Sequence, residues 1–242
     1  MGDKIFPMDE KYRAKHYPKG YLAAAVKDAR GAGVALIICG AVLALIGAGI
    51  LKMLISVMLE GDFDISENVS VVVILAIVGL LFFIPGILLV RYGFKRNRLG
   101  EDGWIQENVQ ASGYQESVIR DFANQALEDG TLVMKLGTSG IRGLLTRDYI
   151  AFQNIIKIED IAGAYFVETS YTVNVNGKTR RMYNKNIKIV SKHNTVAGSE
   201  AKEESVRLII DLLLQKNPAI DTQGGRLLSE NEFDKMVEEM GK

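Results

Sequence analysis

Few residues of this 242-residue chain invite a chemical reading. Gly137-Thr138-Ser139-Gly140-Ile141-Arg142-Gly143 is rich enough in glycine to suggest a phosphate-cradling loop. Such a loop needs a Lys-Ser/Thr pair opening a helix, so that the ammonium and backbone N–H groups converge on the phosphate. Here the following residues read as a strand, and the segment is assigned as a turn between two strands. His16 and His193 are the only histidines and Cys39 is the only cysteine. That excludes a disulfide within the chain and a cysteine-rich zinc site. Cys39 lies in an apolar run, where a free thiol behaves as a small hydrophobe. Asp148, Glu159 and Asp160 suggest an acid–base pair, but turn carboxylates are ordinarily solvated. Neither histidine has a supporting Ser–His–Asp pattern. The chain is therefore read as not an enzyme, with no catalytic residue, no metal ligand and no cofactor.

The one concentrated feature is basic. Lys178, Arg180, Arg181, Lys185, Lys188 and Lys192 occur with no acidic residue between positions 169 and 199. Next to an anionic leaflet each such charge contributes about 1 kcal/mol of attraction. The structural alternative is an edge strand guarded against aggregation by lysine and arginine. Lys178, Arg180, Arg181 and Lys185 are the candidate headgroup- or partner-binding residues. Formal net charge is zero, and the residues after 100 are mildly acidic, so a nucleic-acid footprint is absent.

The elements that must hold these residues begin with two apolar runs. Residues 31–51 contain no charged side chain, and residues 69–90 contain Ser70 as their only polar one. About 20 apolar residues at ~1.5 Å rise cross a hydrocarbon core of ~30 Å. The two runs are expected to form a transmembrane hairpin. A signal peptide is not expected, because such apolar regions are shorter and end at a small-residue cleavage site. Lys4, Lys11, Arg13, Lys15, Lys19, Lys27 and Arg30 precede the first run, and Arg91, Lys95, Arg96 and Arg98 follow the second. Residues 60–68 between the runs carry Glu60, Asp62, Asp64 and Glu67 and no lysine or arginine. The positive-inside rule then places both termini in the cytoplasm. Gly40, Ala44 and Ala48 fall on one face in a small-xxx-small pattern, a seam for the second helix of the same hairpin or for a homodimer. Pro85-Gly86 is expected to kink the second helix.

Residues 1–30 read as a basic cytoplasmic leader, a flexible tail with Tyr12, Tyr17 and Tyr21 at the headgroup level. Beyond residue 100 the pattern changes. Residues 115–127 repeat apolar side chains at helical spacing, and residues 132–136, 143–152, 155–158 and 161–175 read as strands. The last ends at Asn176-Gly177, a strong hairpin signal, and the chain returns from Lys178 to about Ser191. Tyr165, Val167, Tyr171, Val173 and Val175 then share a face, while Ile187 and Ile189 fall on the opposite one, so a bulge near residues 183–186 is expected. Residues 199–216 form an amphipathic helix stopped by Pro218. Residues 229–240 open with Ser229 and Glu232 in capping-box spacing and are expected to dock Phe233, Met236, Val237 and Met240 on the domain, the alternative being a detached partner-binding helix.

Strand segments closed by a helix suit an α+β domain or a half-open barrel. The stretch Leu144-Leu145-Thr146-Arg147-Asp148-Tyr149-Ile150-Ala151-Phe152, followed by Ile158-Glu159-Asp160-Ile161, resembles the bacterial membrane-anchored pleckstrin-homology-like (PH-like) domains. The resemblance covers roughly residues 130–216 and implies a seven-stranded split barrel with a C-terminal helix, used for binding or scaffolding. The residues themselves delineate five or six strands with a helix before them. The organisation read here is thus a leader (1–30), a membrane hairpin (31–90), a cytoplasmic PH-like domain (101–220) and a C-terminal amphipathic helix (221–242). The expected function is binding or scaffolding at the inner (cell) membrane by a multi-pass protein. Its expected partners are the lipid bilayer, an unidentified protein and a second copy of the chain, with no nucleic acid. The alternative is a small accessory subunit acting through its helix hairpin.

Overall fold

A computed structural model describes residues 2–59, 69–137, 141–175, 177–193 and 195–240. The acidic connection at 60–68, Asn176 of the hairpin turn and the glycine-rich residues 138–140 lie outside the described residues. The elements in chain order are β1 (Lys4–Pro7), α1 (Glu10–His16), α2 (Tyr21–Leu59), α3 (Val69–Asn97), α4 (Glu101–Ser112), α5 (Glu116–Gln125), β2 (Leu132–Leu136), β3 (Ile141–Leu145), β4 (Tyr149–Ala151), β5 (Ile155–Lys157), β6 (Ile161–Val175), β7 (Lys178–Ser191), β8 (Val196–Glu200), α6 (Glu203–Lys216), β9 (Leu227–Ser229) and α7 (Glu230–Met240). They fall into two compact units, residues 22–104 and residues 1–21 with 105–242.

The helical unit is held by glycine. On α2 the buried positions Val26, Gly33, Gly40, Gly47 and Leu54 recur every seven residues, and on α3 so do Gly79, Gly86 and Gly93. A seven-residue repeat keeps one seam facing a partner along the whole helix. A Cβ placed on Gly40 would lie 2.7 Å from the Gly86 carbonyl oxygen and 2.8 Å from the Val90 amide nitrogen. One on Gly47 would lie 2.6 Å from the Gly79 carbonyl oxygen, and one on Gly33 would lie 2.9 Å from that of Gly93. The two backbones therefore touch, in antiparallel order, where any side chain would hold them apart. Of the predicted seam, Gly40 is buried in this contact and the Ala44 backbone packs on Gly86. Ala48 is only half-buried, one residue off the heptad position taken by Gly47. Pro85 lies inside the continuous α3. Arg30 Nε donates to the Leu99 carbonyl oxygen at 2.8 Å.

Outside that seam the central stretches of both helices are apolar and largely uncovered. Only 11% of the most apolar window of each helix is buried, at mean hydropathies of 2.8 and 3.1. Neither helix is the core of a water-soluble unit, because soluble monomers rarely expose apolar patches beyond a few hundred Å². These two helices indicate membrane association.

The second unit is α+β, with two sheets and no closed barrel among the described residues. One sheet is five-stranded in the order β1-β2-β3-β4-β5, and the other is four-stranded in the order β8-β7-β6-β9. The apolar stripe of α6 (Val206, Ile209, Ile210, Leu213) packs on Met134, Leu145, Ile150, Phe166, Ile187 and Ile189 from both sheets. Three expectations are corrected here. Residues 143–152 are not one strand: Thr146 accepts the Tyr149 amide and turns the chain between β3 and β4. Residues 199–200 belong to β8, and the following helix begins at Glu203. The predicted bulge at 183–186 does not occur. The β6–β7 ladder runs in unbroken register from Gly163↔Val190 to Val175↔Lys178, and its irregularity falls between Ile161 and Gly163. No register slip is needed because β6 is buried on both faces: Ala164 and Phe166 face the main core, while Tyr165 and Val167 pack on Leu228 and Phe233. The C-terminal segment docks through Phe233, Met236 and Val237, whereas Met240, expected on the same covered side, is exposed. Its cap forms, with the Ser229 amide donating to Glu232 at 2.8 Å and the Glu232 amide to Ser229 Oγ at 3.4 Å.

The leader is not a flexible tail. β1 extends the first sheet, pairing Lys4↔Lys135 through Pro7↔Leu132. The Asp3 carboxylate accepts the amides of Gly137 (3.0 Å) and Lys202 (2.6 Å). Arg13 pairs with Asp129 at 2.7 Å. The leader tyrosines pack in series, Tyr12 on Phe6 and Tyr17, Tyr17 on Tyr21, and Tyr21 on Phe122.

Two outcomes follow. Replacing Gly40 or Gly86 with valine inserts side-chain atoms where backbones meet. The α2–α3 pair should then separate, read as loss of disulfide formation between cysteines introduced at facing positions of the two helices, whereas Gly49→Val, in open space, should leave it intact. Deleting residues 1–17 from the α+β unit removes Ile5, Phe6 and Met8 from partly or fully buried positions. Urea denaturation should report a loss of about 3 kcal/mol or more relative to residues 105–242 carrying that segment on a flexible linker.

Candidate binding surface

In the α+β unit β6 and β7 extend past their neighbouring strands as a two-stranded arm. β9 pairs with β6 only at Phe166, Val167 and Glu168, and β8 pairs with β7 only from Asn186 to Val190. Beyond these residues the two strands run on alone to the Gly177 turn, where φ is +75°. At ~3.3 Å per residue the arm is about 25 Å long. Thr, Tyr and Val dominate its β6 half, residue types that suit extended backbone. Tyr171, Met182 and Tyr183 are exposed large side chains on it.

The ladder register divides the candidate residues between two faces, because side chains alternate along a strand. Lys178 and Arg180 share a face with Val173, Tyr171 and Met182, whereas Arg181 and Lys185 share the other with Ser170, Tyr183 and Glu168. Arg181 donates to Ser170 Oγ from Nε (3.1 Å) and a terminal nitrogen (2.9 Å), and its guanidinium lies over the Tyr183 ring. Lys185 is drawn to the body of the unit, 3.0 Å from Glu203 and above the Phe166 ring. Hydrogen bonds from Lys185 and Arg207 hold the Glu203 carboxyl below the usual range. The four residues read as one patch are therefore two pairs. Lys178, Arg180 and Arg181 are exposed near the tip, and Lys185 at the root is ion-paired.

A second concave feature, an open cleft of about 690 Å³, lies beside the β3–β4 turn and the end of α6. Its charged side chains are held by neighbouring carboxylates and backbone carbonyls. Lys157 pairs with Glu159 at 3.1 Å, Lys192 donates to the Glu159 carbonyl oxygen at 2.8 Å, and Lys216 donates to that of Arg147 at 3.2 Å. Burial works to raise the Asp148 carboxyl, but hydrogen bonds from Gln125 and Arg147 and the Arg147 charge outweigh it and leave it depressed. Asp160 accepts the Tyr114 hydroxyl at 3.0 Å. Burial is the first cause that pushes the Tyr114, Tyr149 and Tyr165 phenols upward, reinforced by hydrogen bonds to Asp160, Asp121 and Asp221. Of the three carboxylates considered as an acid–base set, Asp148 and Glu159 both line this cleft; Glu159 is exposed and paired with Lys157, and Asp148 and Asp160 each anchor a neighbour. Among the described residues no three His, Cys, Asp or Glu side chains come together as a metal site. His193 packs edge-on to Tyr114, and His16 stacks on Tyr12.

Two features went unread in the sequence. The recurrence of glycine at 33, 40, 47 and at 79, 86, 93 was visible as a seven-residue spacing. The projection of the arm was not, because it depends on where β8 and β9 stop. No family model, no curated protein and no solved structure matches this chain.

Proposed function

We propose that this chain is a non-catalytic membrane-anchored binding module of PH-like architecture, which engages anionic headgroups at the cytoplasmic face of the cell membrane through the tip of its β-arm. The observation that carries this reading is the arm itself: Lys178, Arg180 and Arg181 stand on a projecting ribbon with no acidic side chain from Thr169 to its tip. The order of elements supports the PH-like part. β2 to β5 form a four-stranded meander, β6 to β8 are the next three strands in the second sheet, and α6 follows directly. The two uncovered apolar helices support a two-pass anchor, and the basic residues flanking them support cytoplasmic ends.

Headgroup binding through three exposed charges is weak in solution, because surface charges are screened within about 8 Å at physiological ionic strength. Anchoring offsets this by holding the arm at high effective concentration over the bilayer. The accessory-subunit alternative draws no specific support from the arm.

Two measurements test the proposal. The α+β unit, with residues 1–17 linked to 105–242, should co-sediment with anionic vesicles at low salt and lose binding as salt rises. A Lys178→Ser, Arg180→Ser, Arg181→Ser variant should not co-sediment. Equal sedimentation of the two would leave edge protection as the role of these charges. For topology, in a Cys39→Ala chain, cysteine at Ser66 should react with an impermeant thiol reagent on intact cells and cysteine at Lys235 should not. The reverse pattern would overturn the orientation.

A further inference from the structure

The two outer edges of the arm are unequal. The β7 edge carries Lys178, Arg180 and Arg181, the kind of charge that blocks strand addition. The β6 edge from Thr169 to Asn174 carries no charge, no proline and no glycine, and its residues have high strand propensity. The covering strand β9 ends opposite Glu168.

Hydrogen-bonding direction along that edge follows from its root. The Ala164 amide donates to Asp221 at 2.9 Å, and the Asp221 amide donates to Ala162 at 3.1 Å, so even-numbered residues of β6 turn their N–H and C=O groups away from β7. Alternation carries this to Ser170, Thr172 and Asn174, which present a row of backbone donors and acceptors. Such a row takes another extended strand.

We infer that the occupant of this edge is the same edge of a second copy of the chain, paired antiparallel about a two-fold axis at Thr172. In that register Thr172 exchanges both backbone hydrogen bonds with Thr172 of the partner subunit, and Ser170 does so with the partner subunit's Asn174. Tyr171 lies beside the partner subunit's Val173, an aromatic and β-branched pairing of the kind that stabilises sheets. The resulting four-stranded sheet is bounded on both sides by β7, whose lysine and arginine side chains admit no further strand, so association closes at two. The paired arms alone bury less than a standard interface. Confinement in the membrane by the apolar helices supplies the missing effective concentration. The bilayer is a poorer occupant of this edge, since hydrocarbon leaves the backbone groups unsatisfied and a neutral edge has no attraction for headgroups.

The inference goes beyond headgroup binding, which uses the charged tip, and the two fail independently. The test uses the full chain in native membranes with Cys39→Ala to remove the only thiol. On mild oxidation Thr172→Cys should run as a covalent dimer, since its Cα partner across the axis lies within disulfide reach at about 5.5 Å. Thr179→Cys, on the outer strand, should remain monomeric. In a second measurement, energy transfer between differently labelled copies in proteoliposomes should be present for the Thr172 chain. It should be lost in Thr172→Lys, where two ammonium groups would face each other across the axis. No crosslink at 172, equal crosslinking at 172 and 179, or energy transfer unchanged by Thr172→Lys would each overturn the inference.

Discussion

The α+β unit depends on the β6–β7 ladder, whose register holds from Gly163 to Val175. Its root is buried on both faces. Phe166, Ile187 and Ile189 supply the wall of the main core beneath α6, and Tyr165, Val167 and Val190 supply the floor for β9 and α7. A strand covered on both sides can carry apolar residues at consecutive positions without a bulge. The same ladder carries the exposed arm, so register set in the core also decides which basic and aromatic side chains share a face 25 Å away, by the rise of about 3.3 Å per residue.

The helical unit is built on a different principle. Hydrophobic burial gives no net drive between helices whose surroundings are as apolar as their side chains, and association then rests on packing. Glycines at seven-residue spacing on both helices let the backbones meet at Gly33–Gly93, Gly40–Gly86 and Gly47–Gly79. The apolar side chains are left pointing outward, where a hydrocarbon phase takes them. The α+β unit reverses the arrangement, with Ile, Leu, Val and Phe inside and ion pairs such as Arg13–Asp129 and Lys185–Glu203 at its surface.

The N-terminal segment shows how far sequence distance misleads. Asp3 closes a turn at Gly137 and the start of the α6 approach at Lys202, and β1 fills the β2 edge. A segment of basic residues and tyrosines ahead of an apolar run has the composition of a membrane-proximal tail. Its pairing partner lies more than a hundred residues away, and no local pattern marks it.

Composition and periodicity determined much of the molecule by themselves. The two long apolar helices, the strands 132–136, 161–175 and 178–191, the Ser229–Glu232 cap and the apolar stripe of the helix ending near Lys216 each follow from neighbours within a few residues. Tertiary structure alone decided the rest. Short strands such as β8 and β9 form only because β7 and β6 offer them an edge. The straight ladder at residues 183–186 exists only because the C-terminal segment covers a second face. The face on which Lys185 falls, with Arg181 rather than with Lys178 and Arg180, depends on that uninterrupted register. The physical reason is common to all three: periodicity reports whether a residue has a buried face, whereas which element covers that face, and where the covering stops, is set by contacts distant in sequence.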